Sequence, residues 1–296
     1  MAPGDHNESL EFGGRTRTFI AHLPPEFDGR KTLPLVIMIH GAGGSGAGAE
    51  RETGWSKLAD GDGFLAVYPD GTPARPDDPP GFLQNPRLWN DASNRGAIGR
   101  DNINDVGFFN ALIDLMEQHY GADPSRIYVT GMSNGASMTW RLATELSPRL
   151  AAAAPVSGHL WITDPKVETP VPVLFIIGSA DPLNPLRGGD VSLPWAAHQY
   201  HPPIDISLAA WRKAIGCTGD PRVVRDSGGV DEKVWDKCAG RGVLDYVLLD
   251  GQGHIWPGGR NRLPARWVGQ ETHHLDATPF IWEFFKAHAK AHQPTR

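Results

Sequence analysis

Ser133, Asp181 and His254 stand where a hydrolytic relay would need a nucleophile, an acid and a base. Ser133 is the centre of Gly131-Met132-Ser133-Asn134-Gly135, between a strand-like run, Arg126 to Thr130, and a helix-like run, Ala136 to Leu146. In that setting Gly-x-Ser-x-Gly predicts a nucleophile elbow, a strained strand-to-helix turn that lifts a serine hydroxyl out of a sheet. The glycines suit a turn that leaves little room for a Cβ. The following helix would aim its first N–H groups at whatever the serine attacks.

A serine hydroxyl needs a base to take its proton. Leu244 to Leu249 reads as a strand and ends in Asp250-Gly251-Gln252-Gly253-His254, which places His254 on a Gly-rich loop as the candidate base. Val171 to Gly178 reads as a fully buried strand running into Ser179-Ala180-Asp181-Pro182. An Asp at the C-terminal end of a parallel strand lies on the ligand edge of the sheet. Asp181 would orient the imidazole and stabilise its charged form, although an Asp before Pro also opens turns and caps helices. Asp205 and Asp250 are rivals: Asp205 marks a helix start, and Asp250 lies only four residues from His254.

A third strand, Leu33 to Ile39, runs into His40-Gly41-Ala42-Gly43-Gly44-Ser45-Gly46. Small residues there free backbone N–H groups, so the Ala42 and Asn134 amides are candidates for an oxyanion hole. Gly41, Gly43 and Gly46 also fit the dinucleotide-binding spacing, but no acidic residue ends a second strand some twenty residues on. His40 is expected to support the loop by hydrogen bonds.

Five segments together resemble one family: His40 to Ser45, Tyr68-Pro69-Asp70-Gly71, Asp105-Val106-Gly107-Phe108, the elbow, and Gly253-His254-Ile255-Trp256-Pro257-Gly258. In order and kind they are similar to the polyhydroxybutyrate depolymerase and feruloyl esterase family of secreted α/β-hydrolases, from about Arg15 to Phe285. The resemblance implies an α/β-hydrolase fold and hydrolysis of carboxylic esters without a cofactor. It matches Ser133, Asp181 and His254 to nucleophile, acid and base. It leaves open whether the esters are hydroxycinnamoyl, acetyl or hydroxybutyrate oligomers. Met1 to His6 lacks the basic start and apolar core of a signal peptide, and no Ser/Thr-rich linker or polymer-binding module follows the core. Soluble esters are therefore expected over insoluble polymer. The family's habit and a cysteine pair favour a secreted or periplasmic setting, with a cytoplasmic one still open.

The elements that must hold these residues alternate. Strand-like runs at Phe19–Leu23, Leu33–Ile39, Phe64–Tyr68, Ile127–Thr130, Ala151–Val156, Val171–Ile177 and Val243–Leu249 are separated by helix-like Glu50–Ala59, Val106–His119, Ala136–Leu146 and Ser207–Ile215, with Pro279–Ala291 last. Such alternation predicts an α/β class: one mostly parallel central sheet covered by helices on both faces, in a single domain over 1–296. Arg15–Leu23 is expected at an antiparallel edge, and residues 1–14 as a flexible start. Residues 72–100, 182–203 and 258–276 are irregular, each follows a strand end, and they are candidates for pocket walls.

Composition is globular, with 40% hydrophobic and 21% charged residues. A net charge of −6 gives no case for nucleic acid or an anionic membrane surface. No apolar run approaches the roughly 20 residues of a membrane helix. Cys217 and Cys238 lie in a stretch of loop character. Their spacing and the secreted habit of the family resembled suggest a Cys217–Cys238 bridge, with two free cysteines as the alternative; two thiols without a nearby His pair are too few ligands for a metal. His273-His274 reads as a surface pair. Of ten Trp, Trp256 is the best candidate for a substrate-facing ring, with Trp89 and Trp195 in the wall segments. A serine peptidase and a non-catalytic hydrolase-fold binding protein are the competing readings.

Overall fold

Two polar strands open the chain. β1 (Gly4–Phe12) and β2 (Arg15–Leu23) pair antiparallel across a two-residue turn, Gly13-Gly14, at φ 59° and 73°. Positive φ at both central residues suits a turn matching the twist of a hairpin. Residues 1–14, expected to be flexible, therefore hold an edge strand, and β2 is the second strand of the sheet. The His-Asn-Glu-Ser stretch of β1 alternates partly buried and exposed, a pattern suited to a solvated sheet edge. The computed structural model describes residues 1–75, 78–94, 103–193 and 196–291.

After β3 (Leu33–Ile39) come α1 (Gly46–Thr53) and α2 (Trp55–Asp62). The single helix expected over Glu50–Ala59 is broken at Gly54. Its φ of 72° makes a left-handed cap whose N–H donates to the Glu50 carbonyl. Next are β4 (Leu65–Pro69), the two-residue strands β5 (Thr72–Pro73) and β6 (Arg87–Leu88), α3 (Asp105–Tyr120), β7 (Ala122–Met132), α4 (Asn134–Glu145), β8 (Ala152–Val156) and β9 (Val173–Gly178). A second hairpin, β10 (Gly189–Leu193) and β11 (Ala196–His201), occupies much of the stretch expected as loop at 182–203. The chain continues through α5 (Ile204–Ala214), β12 (Arg222–Ser227), β13 (Val230–Trp235), β14 (Leu244–Leu249), α6 (Ala265–Val268) and α7 (Ala277–Ala287).

Ten strands form one sheet in the order β1-β2-β4-β3-β7-β8-β9-β14-β13-β12. The six strands from β4 to β14 run parallel, and an antiparallel hairpin closes each side. This is the expected α/β-hydrolase class. The β12–β13 hairpin corrects the loop expected between Cys217 and Cys238. Gly228-Gly229, at φ 61° and 76°, turns it in two residues, and β12 is exposed along its length. Cys217 and Cys238 are disulfide-bonded across its base.

Strand alternation feeds two cores. Leu35, Ile37 and Ile39 pack on one face with Phe108 and Met116 of α3, Trp140 of α4 and Trp211 of α5. Val36 and Met38 pack on the other with Trp55 of α2 and Trp282 and Phe285 of α7. Both faces of the parallel strands are thus dry, which is why their sequences read as unbroken apolar runs. Among the described residues no helix is long and apolar enough to cross a membrane.

Candidate active site

At the end of β7, Ser133 adopts φ 59° and ψ −120°, outside the ordinary region for an L-residue. Backbone contacts impose this. A Cβ on Gly131 would lie 2.5 Å from the Gly135 carbonyl oxygen and 2.8 Å from that of Ile39. One on Gly135 would lie 2.6 Å from the His40 oxygen and overlap that of Ile39. Both elbow positions are therefore closed to any side chain. Strain of this kind costs of order 1–3 kcal/mol and persists only where surrounding structure enforces it.

Ser133 lines a cavity of about 700 Å3. His254 lines it too, carried on the turn after β14 and backed by a second strip of chain. The His254 N–H donates to the Val268 carbonyl at 2.5 Å, and the Gly253 N–H to that of Gln270 at 2.7 Å. His254 Nδ1 and Asp181 Oδ2 are 2.8 Å apart, and both side chains are buried. The other oxygen, Asp181 Oδ1, accepts the backbone N–H groups of Leu183 and Asn184, each at 2.8 Å. Burial alone would raise the Asp181 carboxyl. The His254 charge and hydrogen bond, with the two backbone donors, outweigh it and hold the group below its ordinary range. Asp181 and His254 are thus joined directly; Ser133 shares their cavity, and no hydrogen bond is recorded between it and His254.

The loop after β3 comes up against the serine. A Cβ on Gly41 would lie 3.2 Å from Ser133 Cβ and 3.9 Å from its Oγ. Ala42 lines the cavity. Asn134 opens α4, so its N–H is one of the four that have no intrahelical acceptor. His40 holds this loop from below. Its Nε2 accepts the Gly71 N–H at 2.9 Å, leaving Nδ1–H to donate to the Gly41 carbonyl at 2.7 Å. Burial pushes its pKa down to about 4, consistent with that neutral tautomer. His40 is a loop support, as expected.

Of the aromatic candidates, Trp89 and Trp256 do border the cavity, but as parts of the packed interior. Trp256 is 5% exposed, belongs to the core with Trp282, and donates its indole N–H to Thr278 Oγ1 at 2.9 Å. Trp89 is 2% exposed and donates its indole N–H to the His40 carbonyl at 2.9 Å. Both rings thus border the cavity while most of their area packs in the core. Trp195 lies outside the described residues. Asp250 instead accepts the Ser179 hydroxyl at 3.1 Å at the exposed end of β14, and Asp205 lies in the first turn of α5, so neither rival acid pairs with His254.

Three residues near the site have contacts that no motif signals. Asn184 donates Nδ2 to the Ser157 carbonyl at 2.8 Å, approaches His254 Nδ1 at 3.4 Å, and offers Oδ1 to His201 Nδ1 at 3.1 Å. Asn134, considered for its amide alone, also clamps a wall segment. Its Oδ1 accepts the Trp89 N–H at 2.8 Å, and its Nδ2 donates to Asp91 Oδ2 at 2.8 Å. Asp105, part of a motif without an assigned role, accepts the Asn90 N–H at 2.8 Å and the buried Arg17 guanidinium at 2.8 Å. The three irregular stretches do contribute walls, through Phe82 and Leu88, through Leu183 and His201, and through Arg260 to Leu263.

Among the described residues, one group could converge on a cation: donor atoms of Asp5, His22 and Glu50 lie within 4.8 Å of one another. His22 already bridges Asp5 at 2.6 Å and Asp60 at 2.9 Å, so this group serves as an ion-paired clamp between β1, β2 and α2.

A family model described as Esterase PHB depolymerase matches residues 18–169. NocK of Nocardia uniformis subsp. tsuyamanensis, named as an esterase, is 30% identical over 83% of this chain and 72% of its own length. Poly(3-hydroxyalkanoate) depolymerase C of Paucimonas lemoignei is 32% identical over 76% of this chain and 55% of its own. Feruloyl esterase B of Piromyces equi is 28% identical over 80% of this chain and 42% of its own. The chain therefore spans about half the length of the last two. The structure of an acetyl xylan esterase from Aspergillus awamori superposes with a TM-score of 0.59 at 17% identity, covering 84% of this chain and 94% of that one. This last likeness concerns the fold.

Proposed function

This chain belongs to the Esterase PHB depolymerase family and is a carboxylic ester hydrolase, and from that premise we propose that Ser133 is its nucleophile, His254 its general base and Asp181 the carboxylate that orients His254. The observation that carries the reading is the buried Asp181–His254 pair, 2.8 Å apart, opening on the cavity that holds the strained Ser133. In this reading His254 Nε2 takes the Ser133 proton as Oγ attacks the ester carbonyl. The tetrahedral oxygen is held by the Ala42 and Asn134 N–H groups. Collapse expels the alcohol, which receives the proton from His254. Water, activated by the same imidazole, then releases the acid and restores Ser133. Catalytic hydrogen bonds often tighten only in the substrate complex, so the Ser133–His254 bond is expected to form as the ester binds.

The acyl groups proposed are hydroxycinnamoyl or short-chain. A cavity of about 700 Å3 with Phe82, Leu88 and Leu263 on its walls suits a small acyl group, and feruloyl esterase B is among the relatives. Polyester oligomers are the second reading, favoured by the family's description and by the depolymerase relative. The Cys217–Cys238 bridge supports an oxidising compartment, secreted or periplasmic. No cofactor is required in this scheme.

Labelling with a fluorophosphonate probe, read by mass spectrometry, tests the assignment. One adduct is expected, on Ser133, and none on Ser133→Ala. A folded wild-type protein that resists the probe and hydrolyses neither p-nitrophenyl acetate nor methyl ferulate would instead be a binding protein on a hydrolase fold.

A further inference from the structure

Four arginines line the cavity that holds Ser133 and His254; Arg87 lies 3.6 Å from the Asp70 carboxylate, which leaves Arg51, Arg260 and Arg262. All three residues are exposed, and among the described residues none of the three forms an ion pair. Among the described residues, exposed Arg30, Arg187, Arg225 and Arg266 are likewise outside any ion pair, so it is the gathering of three at one cavity that stands out, whereas other arginines are neutralised. Arg75, Arg126, Arg141 and Arg149 each pair with a carboxylate. Composition does not produce the concentration either, since the chain carries 28 basic against 34 acidic residues.

Backbone contacts bring the two segments together. The Arg260 N–H donates to the Glu52 carbonyl at 2.9 Å, and a Cβ on Gly259 would lie 2.5 Å from that same oxygen. The loop that leaves His254 is thus laced onto the end of α1, which carries Arg51. Arg51 has an alternative explanation in the dipole of that helix end. Arg260 and Arg262 lie on no helix and have none. Two acidic residues line the cavity: Asp91, which accepts the Asn134 amide, and Glu52, next to Arg51 in the chain. Burial pushes the Glu52 carboxyl upward, against the pull of Arg262 and Arg51. Like charges gathered at the wall of a cleft repel one another and focus a positive potential into it. A guanidinium matches a carboxylate in two parallel hydrogen bonds.

We propose that Arg51, Arg260 and Arg262 form a subsite for a free carboxylate, so that the preferred substrates are esters carrying a second, ionised acid group, such as half-esters of dicarboxylic acids. The proposal rests on the reading of Ser133 as nucleophile in the same cavity. It adds a substrate class that neither the elbow nor the Asp181–His254 pair specifies.

A matched pair of esters tests it: 4-nitrophenyl hydrogen glutarate, which is anionic, and methyl 4-nitrophenyl glutarate, which is neutral. Wild-type enzyme is expected to favour the anion in kcat/KM by roughly tenfold at low salt, given the modest worth of each exposed pair. The ratio should fall toward one in about 0.5 M NaCl, where the Debye length is only a few ångströms. It should also fall to about one in the triple variant Arg51→Gln, Arg260→Gln, Arg262→Gln, which removes exposed side chains and should keep the wild-type Tm. Turnover of the neutral ester with no anionic preference in wild type, or a preference that survives in the triple variant, overturns the subsite alone. Failure of the wild type to turn over either ester overturns the nucleophile reading and the subsite with it.

Discussion

The backbone N–H of Asn184 donates at 2.8 Å to one oxygen of Asp181 while the other oxygen takes His254 Nδ1 at 2.8 Å. The Asn184 side chain then reaches the Ser157 carbonyl and His201. Asn184 thus anchors the Asp181 carboxylate from three residues further along the same loop. Asn184→Ala should retain the backbone donor and lose the side-chain anchor. We expect kcat to fall about 3- to 10-fold, the worth of one or two ordinary hydrogen bonds, with KM nearly unchanged. Wild-type kcat in the variant would remove Asn184 from the positioning network.

Asp181→Asn should preserve the fold and lower kcat/KM by about 10³- to 10⁴-fold, because an amide favours the wrong imidazole tautomer. Asp205→Asn and Asp250→Asn should each cost less than about tenfold, being remote from His254 Nδ1. Steady-state kinetics on p-nitrophenyl acetate ranks the three, and a larger loss at either rival would reassign the acid.

The left-handed backbone of Ser133 makes a separable stability prediction. Ser133→Ala and Ser133→Gly should both lose turnover by on the order of 10⁴-fold or more. Ser133→Gly should nevertheless be the more stable of the two by about 1 kcal/mol, since glycine accepts φ near 59° without a Cβ penalty. Urea unfolding of the two inactive proteins decides it. Equal stabilities would mean the elbow stores no strain.

Trp256 is expected to act through the core. Trp256→Ala should destabilise the fold by about 3–5 kcal/mol, as large-to-small changes at buried aromatics do. Trp256→Phe should cost less and leave the relative rates on acetyl and feruloyl esters as in wild type. A selective rise in KM for methyl ferulate in Trp256→Phe, at wild-type Tm, would return the ring to a substrate-binding role.

The neutral, buried His40 gives stability a defined pH dependence. Its pKa is near 4 when folded, against an ordinary 6.5, so between those values the unfolded chain binds the proton and the folded one does not. Stability should therefore fall as pH drops from 6.5 toward 4, by up to about 1.4 kcal/mol per pH unit from this residue. Denaturant titrations at stepped pH should show a shallower acid loss in His40→Gln than in wild type. Identical slopes would exclude His40 as the source.

The elbow, His254 after β14 and Asp181 after β9 were readable because each follows a local rule: a buried strand, a tight Gly-rich or Pro-bearing turn, a polar residue at the ligand edge. The parallel core was readable for the same reason, since strands buried on both faces are written as continuous apolar runs. The hairpins at the sheet edges were not, although Gly13-Gly14 and Gly228-Gly229 mark their turns. Edge strands bury little, so β12 shows no apolar alternation. Local sequence is also silent on which polar residues meet. Arg17 and Asp105 pair across 88 positions, and Asn134 clamps a segment 45 residues away. Nor does it tell a Trp that lines a cavity from one that holds up its floor, because both are apolar residues after a strand. Those distinctions arise only when the sheet closes distant loops over one edge, where hydrogen-bond geometry and packing choose among groups that the chain offers as chemical equals.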